Sequence, residues 1–256
     1  KGGFFGSKWV GLKHFAAFFR DPFCWRIIRN TVVLGIESLV FSFPAPIILA
    51  LLHNELHYER FKKVVQTISY MPYFLSVVIV VGMMKELFSM SDGPINAVME
   101  AIGLQRHNFF MDPGSFRPLY IGSGIWQGVG YGSIIYLAAI SGINPEMYES
   151  AVLDGAGRIK QMWYITLPSI LPTISILFIM AVAGVLGNDF QKILLMYSPR
   201  TYATADVIST YVYRKGIQGA DYSYSTAVGL FQSVIGLIFI WGANKFSAVL
   251  TETSLW

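Results

Sequence analysis

Charge is what this sequence has least of. Only 13% of its 256 residues are Asp, Glu, Lys or Arg, against roughly 25% in an ordinary soluble domain. A chain so short of solvating side chains is not a soluble globular domain, and a composition 54% hydrophobic and 15% aromatic excludes a disordered one. Its basic residues flank apolar runs instead of clustering in patches, which excludes a nucleic-acid binder. Cysteine is nearly missing: Cys24 stands alone, so there is neither an intrachain disulfide framework nor a Cys-rich zinc site. No Gly-x-x-x-x-Gly-Lys-Ser/Thr segment occurs, so the chain has no P-loop for ATP. His53 and His57 stand at i, i+4, but a zincin pair needs Glu directly after the first His, and Glu55 comes one place late. No metal site, no resident cofactor and no catalytic residue are expected. A signal-peptide core is also lacking, because Lys8, Lys13, His14 and Arg20 interrupt residues 1–26.

What is present is apolar length. A hydrocarbon core takes about 20 apolar residues of helix, and five such stretches are predicted, over 27–52, 64–88, 119–143, 169–187 and 227–250. They are continuously apolar over about twice the ten residues of a barrel strand, without its period-two alternation. The predicted class is an all-α integral membrane protein. Glu37, Pro44 and Pro46 interrupt the first span, Pro72 the second, and Gly122, Gly124, Gly128, Gly130 and Gly132 the third. Prolines free backbone carbonyls that must find partners within a bundle or a wet cavity, and glycines let helices approach closely. Ahead of the spans, Trp9, Leu12, Phe15, Ala16 and Phe19 recur at near-helical spacing. They fit either a short helix lying in the interface or a loop with chance periodicity.

Charge does not fix the orientation. Arg60, Lys62 and Lys63 point the loop between spans one and two inward. Alternation then places Arg158, Lys160 and Lys245 inside as well, six basic residues against twelve on the other face, Lys1 and Lys192 among them. The bare count favours the reverse topology.

Residues 144–168, NPEMYESAVLDGAGRIKQMWYITLP, carry the most information. Asn144 suits an N-cap, Pro145 the first helical position, and Glu146 the positive end of the helix dipole. A short helix to about Leu153 is predicted, with Gly155 and Gly157 turning the chain. Leu167-Pro168 is expected to begin the next span.

This segment resembles the coupling loop of the permease subunits of binding-protein-dependent ABC importers. Their pattern is Glu-Ala-Ala, three residues, Gly, nine residues, Ile, one residue, Leu-Pro. Here Glu149-Ser150-Ala151, Gly155, Ile165 and Leu167-Pro168 hold the same spacing, with the Asp154-Gly155-Ala156 variant common in sugar importers. Ser150 replaces the middle alanine, and Met162 stands where an aromatic is usual, with Trp163 beside it. Asp21-Pro22-Phe23, Trp25, Arg29-Asn30-Thr31, Met71 to Ser76 and Gly93-Pro94-Ile95-Asn96 extend the resemblance to the carbohydrate branch, among its permeases for complex or polymeric saccharides and bacterial alginate importers in particular.

The resemblance implies a five-span core of the maltose and methionine importer type over residues 27–256, preceded by an external or interfacial segment, 1–26, from which an earlier helix is expected to be missing. It makes the 144–168 loop cytoplasmic, against the charge count. Glu149, Ser150, Ala151, Asp154, Gly155, Ala156, Arg158, Ile165, Leu167 and Pro168 would couple to an ATPase: small Ser150, Ala151 and Ala156 allow close docking, while Glu149 and Asp154 hold the base by capping or by pairing with Arg158. The implied partners are a second, different permease, two ATPases holding ATP and Mg, a periplasmic or surface solute-binding protein, a saccharide and membrane lipid, in a bacterial inner membrane and without nucleic acid. Counting from the motif places the substrate path near Gly128, Tyr131 and Asn188, with Trp126, Gln127 and Asp189 as neighbours. A sugar offers an apolar face to an aromatic and hydroxyls to amides, but Trp126 and Tyr131 fit interface or packing aromatics equally. Glu37 lines the path or hydrogen-bonds across helices, the second being favoured. The rival functions are an amino-acid or peptide importer, since the loop does not encode cargo, and an ion-coupled secondary transporter, which would often show inverted repeats not detected here.

Overall fold

The structure, a computed structural model, describes residues 8–251, with side chains described through residue 245. Residues 1–7 of the expected N-terminal segment, Lys1 of the charge count among them, and residues 252–256 of the expected core lie outside the described residues. The described residues are helical and contain no strand.

Helix α1 (Lys13–Arg20) precedes the first span. The predicted stripe through Trp9 and Leu12 is not its packed face, for these two are 95% and 75% exposed. Phe18 is buried instead, against Cys24, Ile27, Ile208, Tyr211, Tyr224 and Val228. Phe18 and Phe19 both meet the ring of Phe231, and that contact chooses the face.

The first span joins α2 (Cys24–Ser42) to α3 (Pro44–Asn54) as one 31-residue helix. Phe43 keeps helical angles, so the helix runs on through Pro44 and Pro46, which have no amide to give the carbonyls of Val40 and Ser42 one turn back.

The stretch predicted over 64–88, interrupted by Pro72, is two helices and not one. Helix α4 (Glu59–Tyr70) runs through a 3-10 turn (Met71–Phe74), then breaks by 101° into α5 (Val77–Leu87). Leu75 and Ser76 are extended, and the Ser76 hydroxyl caps α5 by accepting from the amide of Ile79 at 3.3 Å. The freed carbonyl of Leu75 accepts from Gln127 Nε2 at 2.8 Å. A neighbouring helix thus supplies the partner that lipid cannot.

After α5 comes α6 (Pro94–Ala101), stitched by Asn96, which is fully buried. Its amide donates to the carbonyls of Ser89 and His107 at 2.9 and 3.0 Å, and its oxygen accepts from the His107 amide at 2.7 Å. Asp112 then caps α7 (Pro113–Ser141) by accepting from Gly114 and Ser115. The Ser115 hydroxyl first, then the Gly114 amide, hold the Asp112 carboxyl below its ordinary range.

Helix α7 is the axis of the bundle, packed chiefly along α3 and also on α2 and α4. Gly130 explains part of that closeness: a Cβ there would overlap the carbonyl of Ser69 on α4.

Helix α8 (Pro145–Leu153) leads into α9 (Arg158–Ser169), and a 63° bend separates α9 from α10 (Leu171–Ala183). Pro168 lies in the last turn of α9, and Pro172 in the first turn of α10. A π-turn over Met162–Thr166, closed by the Leu167 amide on the Met162 carbonyl, re-spaces the ladder just ahead of Pro168, which has no amide to give. Helix α10 ends at Ala183, before the expected limit at Gly187. Short helices follow, α11 (Phe190–Met196), α12 (Tyr202–Ala205) and α13 (Ile208–Val212), and then α14 (Tyr222–Thr251).

The main core gathers Leu34, Val80, Val81, Met84, Phe116, Tyr120, Ile121, Ile193 and Met196 from α2, α5, α7 and α11. The outside is equally apolar, with Phe41, Ile48, Val78, Leu237, Ile238 and Trp241 all more than half exposed. Water would penalise such a surface heavily, whereas lipid matches it. Among the described residues, Cys24–Asn54 and Tyr222–Lys245 are long and apolar enough to cross a membrane, as are both bent pairs if each is one span. Helix α7, with 29 residues, is about 44 Å long, and its glycines and serines make it less apolar than these.

Candidate functional site

The 144–168 segment folds as its capping residues dictate. Asn144 Oδ1 accepts from the Glu146 amide at 3.1 Å, with Pro145 in the first turn. At the other end the Gly155 amide donates to the Val152 carbonyl at 3.0 Å and the Ala156 amide to the Ala151 carbonyl at 2.8 Å. This is a Schellman closure, with Gly155 at φ +76° in the left-handed region. Nothing lies within 4 Å of where a Gly155 Cβ would stand, so backbone conformation and not crowding within the chain asks for glycine.

The base is held differently from expectation. Among the described residues no ion pair joins Glu149 or Asp154 to Arg158, and all three are exposed. The links instead run through neutral groups. Gln161 Nε2 donates to the Ala156 carbonyl at 2.8 Å, and the hydroxyls of Tyr148 and Thr166 meet at 2.9 Å. Thr166 is buried, so α8 is tied to a fixed point in α9. Ser150 spends its hydroxyl on the Glu146 carbonyl at 2.9 Å. Ala151 and Ala156 are half-buried, and the Ala156 amide closes the Schellman turn on the Ala151 carbonyl. Ile165 and Leu167 are half-buried while Pro168 is exposed. Leu167 lines an apolar crevice of about 410 Å³ with Ile47 and Leu51 of α3. At the tip, Leu153 is 89% exposed, an apolar knob that the sequence reading passed over.

The expected substrate-path residues divide. Gln127, Gly128 and Asp189 line one cavity of about 330 Å³ together with Tyr73, Tyr120 and Lys192. Asn188 and Asp189 border a neighbouring cavity of about 560 Å³ that also reaches Tyr120, Ser38 and Ser42. Tyr131 stacks on Tyr73 at 3.9 Å between ring centroids, nearly parallel, and so stands behind a wall residue. Trp126 belongs elsewhere: it lines a separate apolar pocket with Met83, Leu87 and Pro118. Asn188 is engaged, donating from Nδ2 to the Thr31 carbonyl at 3.1 Å.

Lys192 was counted from the sequence as an outer-loop charge, yet it is only 4% exposed. Its Nζ donates to the Tyr120 carbonyl at 2.9 Å and lies 4.9 Å from the Tyr120 ring centre. Asp189 caps α11, its Oδ1 accepting from the Lys192 amide at 3.0 Å, and its own amide donates to the Tyr120 hydroxyl at 2.8 Å. A hint lay in the stretch FQKILLM, where Lys192 and Met196 share one helical face and Ile193 adjoins it; all three are buried.

Glu37 takes the favoured of its two expected roles. Arg117 Nη1 donates to Glu37 Oε1 at 3.3 Å and Nη2 to Asn30 Oδ1 at 3.3 Å, joining α7 to α2. Both Glu37 and Arg117 also face a cavity of about 590 Å³. Asn30 continues the network by donating to the carbonyls of Ala203 and Asp206 at 3.0 and 3.1 Å. The fully buried Asp206 carboxylate accepts a bidentate pair from Arg214 at 2.8 and 2.7 Å.

Comparison with known proteins gives the chain relatives over nearly its full length. Residues 42–250 match the family model described as binding-protein-dependent transport system inner membrane component. Protein LplB of Bacillus subtilis (strain 168) is 42% identical over 253 residues, spanning 99% of this chain and 80% of that protein. The polygalacturonan/rhamnogalacturonan transport system permease protein YteP of the same organism is 42% identical over 254 residues, spanning 99% of this chain and 79% of that one. A chain of a bacterial alginate ABC transporter, solved in complex with an alginate pentasaccharide-bound periplasmic protein, superposes with TM-score 0.93 at 46% identity over 96% of this chain and 85% of its own. The inward-facing MetNI methionine ABC transporter matches at TM-score 0.60 and 12% identity, over 88% of this chain and 93% of its own, which is a likeness of fold alone.

Proposed function

The chain belongs to the family of binding-protein-dependent transport system inner membrane components, as a permease of a sugar ABC importer, and from that premise we propose that its cargo is an oligosaccharide cut from an acidic polysaccharide such as alginate. The observation that carries this reading is the 46% identity and 0.93 TM-score with the alginate transporter chain over 96% of the length. A relative named for polygalacturonan and rhamnogalacturonan transport, also saccharides with acidic units, supports the same class of cargo.

In this reading five spans cross the inner membrane: α2 with α3, α4 with α5, α7, α9 with α10, and α14. Helix α8 faces the cytoplasm and docks in a groove of an ATPase subunit. Glu149, Ser150, Asp154 and Arg158 offer polar contacts there, and Leu153 an apolar one. Gly155, Ala151 and Ala156 shape the turn, while Ile165, Leu167 and Pro168 transmit its motion to α3 and α10. Closure of two ATPases on ATP and Mg would move α8, and the Tyr148–Thr166 bond would carry that displacement into α9. The cavities beside α7 would then open alternately to the two sides of the membrane, accepting saccharide from a solute-binding protein and releasing it inward. A second permease completes the path. The chain makes and breaks no covalent bond; hydrolysis belongs to the ATPases.

The test is uptake by the complete transporter in proteoliposomes loaded with ATP. Accumulation of labelled uronate oligosaccharide, dependent on the binding protein and absent with a non-hydrolysable nucleotide, is expected. Accumulation of amino acids or peptides in place of the saccharide would overturn the cargo assignment. Uptake driven by an ion gradient without ATP would overturn the coupling scheme.

A further inference from the structure

We infer that Lys192 is the residue that reads the cargo's carboxylate inside the membrane, the ammonium receiving each uronate unit as it passes between α7 and α11; the inference rests on the acidic-saccharide reading given above. A buried ammonium is costly unless it is paired, and a lysine carries three donors. Here a single protein acceptor, the Tyr120 carbonyl, meets it at 2.9 Å. Among the described residues no carboxylate lies within ion-pair distance of its Nζ. Asp189, three positions earlier, lines the same cavity and attracts the ammonium through space, but its Oδ1 accepts from the Lys192 amide at 3.0 Å, at the helix end it caps. With one protein acceptor and the Tyr120 ring centre 4.9 Å away, the ammonium has donors left for a group that enters the cavity.

The surroundings fit a sugar acid. Gly124 leaves room at the charge, since a Cβ there would stand 3.4 Å from Nζ. Tyr73, held flat by its stack on Tyr131, provides a ring for the apolar face of a pyranose. Gln127 gives its amide nitrogen to Leu75, which leaves its side-chain oxygen to accept a sugar hydroxyl. A cavity of about 330 Å³ holds roughly one such unit at a time. Because the attraction comes from one site and not a cluster, a polyanion can bind and still move on, as transport demands.

Two substitutions separate this role from simple packing. Lys192→Gln keeps a donor for the Tyr120 carbonyl and removes the charge; Lys192→Arg keeps the charge. In the complete transporter, with both variants melting within a few degrees of the parent, uptake of a labelled uronate oligosaccharide and of its carboxyl-reduced neutral counterpart is measured below saturation. Lys192→Gln is expected to lower uronate uptake about tenfold and change neutral uptake less than twofold, while Lys192→Arg keeps at least a third of the uronate rate. Equal losses on both sugars, or no loss, overturn the inference while leaving the cargo reading intact. If the binding protein refuses the reduced sugar, equal uronate uptake by the two variants overturns it. Failure of the unsubstituted transporter to import uronate, with import of a neutral saccharide instead, marks failure of the cargo reading itself.

Discussion

The hydroxyl of Tyr148 lies 2.9 Å from that of Thr166, joining a half-buried residue of a mostly exposed helix to a buried one in the next. Glu149, Asp154 and Arg158 contribute no ion pair to the hold. In the proposed coupling scheme a push on α8 would reach α9 through this bond and the Schellman turn.

Tyr148→Phe removes the bond and leaves Thr166 with the Gln161 carbonyl at 3.4 Å. One such bond is worth about 1 kcal/mol, so the complex should still assemble. The expected loss is in coupling: saccharide moved per ATP hydrolysed falls about two- to fivefold, with ATPase activity retained. Parallel measurement of uptake and phosphate release in proteoliposomes checks it, and an unchanged ratio would remove Tyr148 from the transmission path.

At Gly155 two causes predict opposite rankings. If only the φ of +76° mattered, Asp would be tolerated better than Ala, since Asn and Asp visit the left-handed region more easily. If α8 docks closely in a partner groove, the bulkier and charged Asp is worse. Gly155→Asp is expected to reduce ATPase co-purification about tenfold, and Gly155→Ala by less than half as much. The reverse order would make the glycine a matter of backbone alone.

How far the sequence revealed all this depends on how local each cause is. Asn144, Pro145 and Gly155 were readable because caps act within a few residues, and their geometry is as expected. Pro72 announced trouble in the second span, but a 101° break also needed Gln127 to satisfy Leu75, a partner 52 positions away. Lys192 was misplaced because charge counting assumes that basic residues lie in loops, whereas the Tyr120 carbonyl and cavity hold it inside. Trp126 sat one step from Gln127 in sequence, yet adjacent positions on a helix face different ways, so the two line different pockets.

The Asp112 cap should make the start of α7 sensitive to acid. Its folded value lies below the unfolded one, so the cap's contribution is complete above the ordinary carboxylate value of about 3.9 and is lost as pH falls through the lower folded value. Asp112→Asn can still cap without titrating. The melting temperature of the purified complex between about pH 5 and about pH 3 should fall less steeply for Asp112→Asn than for the parent. Equal slopes would mean that the carboxyl contributes no acid sensitivity.

The Arg117–Glu37 pair should be asymmetric under substitution. Glu37→Gln keeps an acceptor for Arg117 and removes only the charge. Arg117→Met leaves a partly buried carboxylate without its partner and also strips Asn30 of its donor. Unpaired charge in an apolar bundle is the costlier outcome, though the 34% exposure of Glu37 reduces the full buried penalty. The expected loss is about 2 kcal/mol for Arg117→Met and under about 1 kcal/mol for Glu37→Gln. Thermal unfolding followed by size-exclusion fluorescence reads both. Restoration of the Arg117→Met melting temperature by adding Glu37→Met would confirm that the penalty comes from the stranded carboxylate, since removing the charge then relieves what losing the arginine imposed. A double variant no more stable than Arg117→Met alone would locate the cost in Asn30, and through it in the carbonyls of Ala203 and Asp206 that Asn30 holds.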